Sequence, residues 1–236
     1  MPRLVPRLVP RVAPLHPRLV SRVASIDVID SRDETITVLP TTGAVLGFQV
    51  RGRVRAGDAL LSTAGVTGIQ ESARRYTYLG DTTSVLVRFT PQGATCLGAP
   101  ASMLTGQSVA LDTLLPAARV REAREQLPEA RGAAEMAAVV ERLLLSLPFR
   151  DDPLVTRALR LFEAEVLSVA ATARALGVSE RTLERRFLDR VGLTPKRFSN
   201  LRRFERAALL ARTAGSLTEV ALLAGYYDQS HFIREI

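Results

Sequence analysis

Several residue types that define large functional classes are scarce in this chain. There is one cysteine, Cys96, so no internal disulfide framework can form, and such cysteine usage fits a reducing cytoplasm. The two histidines, His16 and His231, lie near opposite ends of the chain, and no His/Cys set with metal-ligand spacing can be assembled. Long apolar runs are missing: residues 139–147 are interrupted by Glu141 and Arg142 and are too short to span a bilayer, so no membrane partner is expected. No catalytic triad, paired-carboxylate site or phosphate loop is present, and no cofactor or metal is expected. Lysine is nearly absent, with Lys196 standing against 31 arginines. That bias can reflect a GC-rich coding sequence, so the formal net charge of +8 says little by itself. What remains is a soluble globular composition, 47% hydrophobic and 24% charged, in 236 residues, long enough for two domains.

Prolines at positions 2, 6, 10, 14 and 17 punctuate a repeated Pro-Arg-Leu-Val. They forbid a helix, and residues 1–25 are expected to form a disordered, polyproline-like arm. No unbroken apolar core or small-residue cleavage site marks a signal peptide.

The most informative feature is a doubled pattern in residues 166–236. In the first copy Val169, Thr172, Ala173 and Leu176 follow helical spacing, Gly177 stops the helix and Ser179 is placed to cap the next, with Leu183 and Phe187 on its buried edge. In the second copy Leu217, Val220, Ala221 and Ala224 keep that rhythm, Ser216 and Glu219 form a capping box, Gly225 breaks the helix and Asp228 can cap the last one. Ala173 and Ala221 allow two short helices to cross closely, which is helix-turn-helix logic. Between the copies Thr194-Pro195 starts a helix expected to run to Thr213, with Phe198, Leu201, Phe204, Ala208 and Ala211 on one side. About 20 residues at 1.5 Å each give roughly 30 Å. That approaches the ~34 Å turn of B-DNA, so two readers on one helix can enter successive major-groove segments. From Arg174 to Arg206 ten Lys/Arg stand against four acids, the local excess that a duplex binder needs.

Four segments carry a resemblance to the AraC/XylS family of bacterial transcription regulators: A-x-x-L-G-V-S-x-R-x-L-x-R-x-F (173–187), V-G-L-T-P-K-R-F (191–198), R-F-E-R-A (203–207) and A-x-x-A-G-Y-x-D-Q-S-H-F-x-R (221–234). The resemblance covers about 85 residues from Asp152 onward. It implies base-facing positions at Arg181, Glu184 and Arg185 in the first recognition helix and at Gln229, Ser230, His231 and Arg234 in the second. These side chains have the chemistry that base reading needs, since Arg forks onto guanine, Gln onto adenine, and Glu accepts from cytosine N4. Arg186, Arg190 and Arg206 are read as solvated or phosphate-facing. The chain ends eight residues after Asp228, whereas the family pattern continues. The second unit is therefore expected to be frayed, and a truncated regulator with weak DNA binding that acts mainly through its N-terminal domain is the alternative reading.

Residues 26–115 change to β-type runs at 36–39, 44–50, 76–79 and 84–89, with Pro40, Gly43, Gly52, Gly57, Gly80-Asp81 and Pro91 as breaks. This β-rich regulatory or dimerisation domain resembles that of an AraC subset through Leu39-Pro40, Gly68-Ile69-Gln70 and Arg88-Phe89-Thr90-Pro91-Gln92-Gly93. Where the subset often has a Pro-Asp-Gly turn, this chain reads Pro40-Thr41-Thr42-Gly43, without the carboxylate. Arg51, Arg53, Arg55, Arg74, Arg75 and Arg88 either line an anionic ligand pocket or form a solvated sheet face. Residues 116–150 read as linker helices, broken at Pro128 and Gly132, in which Leu143, Leu144 and Leu147 make either a homodimer seam or a face packed on the β domain. Cys96 raises the alternative of a DNA-repair alkyltransferase-like protein, but it lacks adjacent bases or further cysteines to activate it.

The expected fold is α+β: a β-rich N-terminal domain followed by an all-α DNA-binding domain, residues 151–236, of two helix-turn-helix units on a connecting helix. The expected function is a cytoplasmic, non-enzymatic, sequence-specific transcription regulator with double-stranded DNA as partner. A small-molecule effector and a homodimer are further options, as is RNA polymerase if the protein activates. Operator, effector and sign of regulation are not written in these motifs.

Overall fold

The computed structural model describes residues 3–4, 14–149, 151–164, 168–211 and 217–224. Its first half is built on two long antiparallel strands rich in β-branched and aromatic residues, β4 (Val45–Ala56) and β7 (Arg74–Phe89). On the other edge of β7 lie β2 (Val23–Arg32) and β3 (Thr35–Val38), the latter with the short parallel β1 (Arg3–Leu4) beside it. β4 continues the sheet to β5 (Ala59–Leu60) and to β6 (Ala64–Thr67), which pairs with β8 (Ser108–Ala110).

Gly80-Asp81, expected to separate two strands, lies inside one. Gly80 takes a left-handed φ of +67° and donates its N–H to Asp33 Oδ1 at 2.8 Å. Here β7 exchanges one partner for another, with residues 74–77 facing β3 and residues 81–89 facing β2. Gly52 plays a similar part in β4: its φ is +71° and the register with β7 shifts on either side of Arg51. A Cβ at Gly52 would sit 2.4 Å from Thr82 Oγ1, so the bulge needs glycine.

One face of the sheet buries Leu46, Phe48, Val66, Val85 and Val87 against α2 (Ala117–Glu129) and α3 (Ala133–Leu145). Pro128 lies within the last turn of α2 rather than ending it earlier. Leu144 is wholly buried, and Leu143 and Leu147 nearly so, in this same core. These leucines are used inside the chain, and a homodimer seam through them is corrected accordingly. The expectation of a disordered arm over residues 1–25 also fails in its last third. Leu19 is wholly buried and Val23 begins β2, because an apolar side chain within reach of the sheet gains more from burial than the extended arm loses. His16 N–H donates to Glu141 Oε1 at 2.6 Å, tying this segment to α3.

A short helix, α1 (Ala101–Leu104), leads from the sheet toward the helical half. There α4 (Pro153–Ala164), α5 (Val169–Ala175), α6 (Glu180–Arg190) and α7 (Pro195–Leu210) surround a core of Val155, Leu159, Leu183, Phe187 and Phe198. Phe162, Phe187 and Phe198 meet edge-on or tilted at centroid distances of 5.7, 6.2 and 5.7 Å. α7 ends at Leu210, short of the expected Thr213, so its 16 residues span about 24 Å. Phe198, Leu201 and Ala207 are buried along it, while Ala211, expected on the buried side, is exposed. α8 (Leu217–Ala224) packs through Val220 and Ala224 on Ala207.

Replacing the buried Leu144 by alanine is expected to cost about 2–5 kcal/mol through lost burial and a residual cavity. The check is a urea unfolding midpoint; an unchanged midpoint would mean that α3 does not close the β-domain core.

Candidate nucleic-acid interface

The first helical pair is set up locally by side-chain caps. Ser168 Oγ accepts from Ala171 N–H at 3.1 Å, Ser179 Oγ from Thr182 N–H at 3.2 Å and Thr194 Oγ1 from Arg197 N–H at 3.3 Å, one at the start of each of α5, α6 and α7. Between α5 and α6 the chain reverses at Gly177, φ +69°, as its position in the pattern requires. Leu183 and Phe187, four residues apart, turn one side of α6 into the core and are wholly buried. Arg181, Glu184 and Arg185 are exposed, and none of the three has a hydrogen bond or ion pair among the described residues. Two unpaired guanidinium groups and a carboxylate thus project from one short helix. Gln229, Ser230, His231 and Arg234, with Ser216, Gly225 and Asp228, lie outside the described residues.

Not all arginines of α6 are available to a duplex. Arg186 donates to Asp152 Oδ2 at 2.7 Å, and Arg190 Nε lies 3.9 Å from the same oxygen and 3.0 Å from Asp189 Oδ2. At neither distance does Nε find hydrogen-bond geometry, and it remains a buried donor without an acceptor. The Asp152 side chain is itself buried, and its Oδ1 accepts from Leu154 and Val155 N–H at 3.1 and 3.3 Å. One carboxylate therefore caps α4 and pins α6 to it. Arg186, read as solvated or phosphate-facing, is exposed and has this structural role as well, because a buried carboxylate needs a cation close by. In the sequence Asp152 is visible only as a helix start. The arginines one turn apart on α6 are the signal for its second role.

The three N-terminal segments singled out in the sequence meet the helical half. Ile69, from Gly68-Ile69-Gln70, is buried within the core of α4, α6 and α7. Gln92 Nε2 donates to Thr156 Oγ1 at 3.0 Å. Thr42, in the turn that lacks the family carboxylate, donates its N–H to Glu205 Oε1 at 2.7 Å and its hydroxyl to Oε2 at 3.0 Å. A carboxylate from α7 thus sits on that turn. Nearby, Arg197 holds Glu71 with two parallel bonds, Nε to Oε2 at 2.7 Å. Thr105 Oγ1 donates to Gly192 O at 2.9 Å, and a Cβ on Gly192 would lie 2.8 Å from Ala101 O. This docking uses the C-terminal end of α6 and the flank of α7, and leaves Arg181, Glu184 and Arg185 exposed.

The β domain also bears a partly open cavity of about 820 Å³, whose wall includes Ile36, Val38, Phe48, Arg74 and Tyr76 and, at the docked side, Glu205. Of the six arginines considered for a ligand pocket, Arg74 and Arg88 line it. Arg88 is paired with the buried Asp27, whereas Arg74 donates to Ser108 Oγ at 3.0 Å and lies 5.9 Å over the Tyr76 ring. Arg51 lines a separate shallow depression with Asp30 and Asp81, and Arg53, Arg55 and Arg75 line neither. Burial pushes the Tyr76 and Tyr78 phenols above their ordinary range, so both stay neutral donors. Cys96 is 1% exposed, and burial pushes its thiol up to about 12, opposite to what a methyl acceptor needs. Among the described residues no helix is long and apolar enough to cross a membrane, and no cluster of metal-ligating groups occurs.

A capped helix pair with one face buried and the other bare defines a helix-turn-helix protein. A family model described as a helix-turn-helix domain matches residues 172–236. The HTH-type transcriptional activator RhaS of Escherichia fergusonii is 39% identical over 70 residues, 29% of this chain and 25% of that protein. RhaS of Enterobacter sp. gives the same values. The chain thus spans about a quarter of the length of the curated relatives it matches. Among solved structures ToxT of Vibrio cholerae O395 is 13% identical over 92% of both chains at a TM-score of 0.46. Residues 172–236 thus carry a helix-turn-helix domain, similar over 70 residues to part of the RhaS activators.

Two outcomes are expected from these geometries. Asp152→Ala removes a helix cap and the anchor of Arg186, lowering stability by about 1–2 kcal/mol, whereas Arg185→Ala leaves it within about 0.5 kcal/mol; thermal melts of the two variants separate the roles, and equal losses would contradict them. Iodoacetamide at pH 8 should leave Cys96 of the native chain unmodified for hours and label it once urea unfolds the protein. Rapid labelling without urea would show an activated thiol.

Proposed function

We propose that the protein is a sequence-specific DNA-binding transcription regulator that inserts α6 into the major groove and reads bases with Arg181, Glu184 and Arg185. The observation that carries this reading is the division of α6: Leu183 and Phe187 are wholly buried while those three polar side chains are exposed and unpaired. An exposed guanidinium is free to fork onto guanine O6 and N7, and a free carboxylate to accept from cytosine N4. The Ser179 cap at the start of α6 and the Asp152 anchor behind it hold those groups on a rigid element, which base reading requires. Gln229, Ser230, His231 and Arg234 are assigned the same role in an adjacent half-site. The reading is that of a binding protein rather than an enzyme, and the suppressed thiol of Cys96 argues against methyl transfer. The matched relatives are named activators, and an activating role here, with RNA polymerase as partner, rests on that likeness.

A second element of the reading is a small-molecule effector in the β-domain cavity. It is supported by a partly open space of about 820 Å³ with mainly apolar walls, within the range of small-ligand sites.

Selection from a randomised duplex pool, across a salt series, tests the proposal. The wild type is expected to enrich a motif containing a G·C pair that Arg185→Ala no longer discriminates, a change of about 1–3 kcal/mol at that position. Identical sequence preference in the two proteins would refute base reading by Arg185.

A further inference from the structure

We propose that the outer sheet face bearing Arg53, Arg55 and Arg75 is a second DNA contact, one that holds the phosphate backbone of double-stranded DNA without reading bases. The inference rests on the reading of the chain as a DNA-binding protein, and adds to it a contact made by the β domain.

Beyond Gly52 and Gly80 the sheet consists of β5, residues 53–56 of β4, residues 74–79 of β7 and β3, side by side. Its two faces differ in chemistry. Val54, Tyr76, Tyr78, Ile36 and Val38 point inward and line the cavity. The residues that alternate with them point outward. Arg55 stands across from Thr77 on one side and Leu60 on the other, Arg53 across from Leu79, and Arg75 across from Thr37. All three arginines are exposed, and so are Leu60 and Leu79.

Three observations carry the proposal. The first is uncompensated charge. Opposite charges across a strand pair stabilise it and like charges repel, yet no arginine of this face has a carboxylate across from it, and none of the three guanidinium groups has a hydrogen bond or ion pair among the described residues. Carboxylates nearby in the chain are engaged elsewhere: Glu71 by Arg197, Asp81 by Arg32, Asp33 by the Gly80 N–H and Glu34 by the Ser31 hydroxyl. Asp58, in the turn between β4 and β5, balances at most one of the three. The second is the array. Arg53 and Arg55 are two residues apart on one strand, about 7 Å, with Arg75 on the next, and each guanidinium can fork onto a phosphate. Thr35 and Thr77 share one hydrogen bond of 3.1 Å between their hydroxyls, which leaves one hydroxyl proton for a further phosphate oxygen. The third is position. Glu71, just before β7, is held by Arg197 at the start of α7, and Thr42, just after β3, by Glu205. Arg75 therefore lies at the end of the face nearest the helical half, and a duplex gripped by α6 raises the concentration of DNA around the face.

The composition of the face favours a phosphate backbone over a protein. It has no aromatic anchor, and Leu60 and Leu79 lie on opposite sides of β4, so they do not join into the apolar centre from which protein interfaces draw their energy. A second copy laid face to face would set three more arginines against these three.

The test is fluorescence anisotropy of the full chain with a labelled duplex of random sequence, several helical turns long, over a salt series. Removing all three charges (Arg53→Gln, Arg55→Gln, Arg75→Gln) should lower the slope of log affinity against log salt by about 3, at roughly 0.9 per phosphate. The control removes the same charge from the α2 side, through Arg121→Gln, Arg124→Gln and Arg131→Gln, all exposed, and should leave the slope unchanged. Because the sheet-face side chains are exposed, that variant should melt with the wild type; if it does not, the three single variants, each lowering the slope by about 1, carry the test. Equal slopes for the wild type and the sheet-face variant overturn the proposal and point to an acidic protein as the occupant. An equal fall in both triple variants also overturns it, since net charge alone then explains the loss. No salt-dependent binding by the wild type overturns the DNA-binding reading along with it. The duplex is random in sequence, so a failure of base reading in the Arg185 experiment is a separate result.

Discussion

Helices of 7, 11 and 12 residues cannot hold themselves in water, so the exposed face of α6 exists only because packing fixes that helix from behind. Two contacts do most of this. Phe187 closes an edge-on cluster with Phe162 and Phe198, and the Asp152 carboxylate joins the start of α4 to Arg186. Everything that α6 offers to a partner depends on this rear fixation, since a reader of base edges is specific only if its side chains start from a rigid base. The caps on Ser168, Ser179 and Thr194 then set where each helix begins.

Arginine is used in two physically distinct ways along the same helix. Arg181 and Arg185 lie on the bare face without an ion pair among the described residues, while Arg186 and Arg190 lie toward a buried carboxylate. Counting charge over residues 174–206 treats all four alike, and only the direction each side chain takes around the helix separates them. The same holds in the β domain, where Arg88 is neutralised by Asp27 and Arg74 keeps only neutral partners among the described residues.

The β domain and the helical half are joined by more than a linker. Ile69 completes the helical core, Gly192 lets α1 approach the end of α6, and Thr42 grips Glu205. The Thr42 turn, which has no acidic residue of its own, receives a carboxylate from a helix more than 160 residues away. The cavity wall and α7 thereby share one side chain.

The periodicity of residues 169–187 determined the first helix pair outright. Apolar spacing, a glycine stop and Ser179 as cap are local signals, and local hydrogen bonding realises them as they read. The burial of Leu183 and Phe187 was legible for the same reason, and the outward positions of Arg181, Glu184 and Arg185 were implied by the family resemblance. Strand limits were less so: Gly80 reads as a break, yet a central strand passes through it because its two halves find different partners. The β2 strand was hidden behind a proline-rich segment whose Leu19 had a core to join. Roles set by distant contacts left at most a partial trace. Asp152 as an anchor for α6, Leu144 as core rather than surface, and Glu205 on the Thr42 turn were decided only by the tertiary structure, because each depends on a partner brought near by folding and not by spacing along the chain.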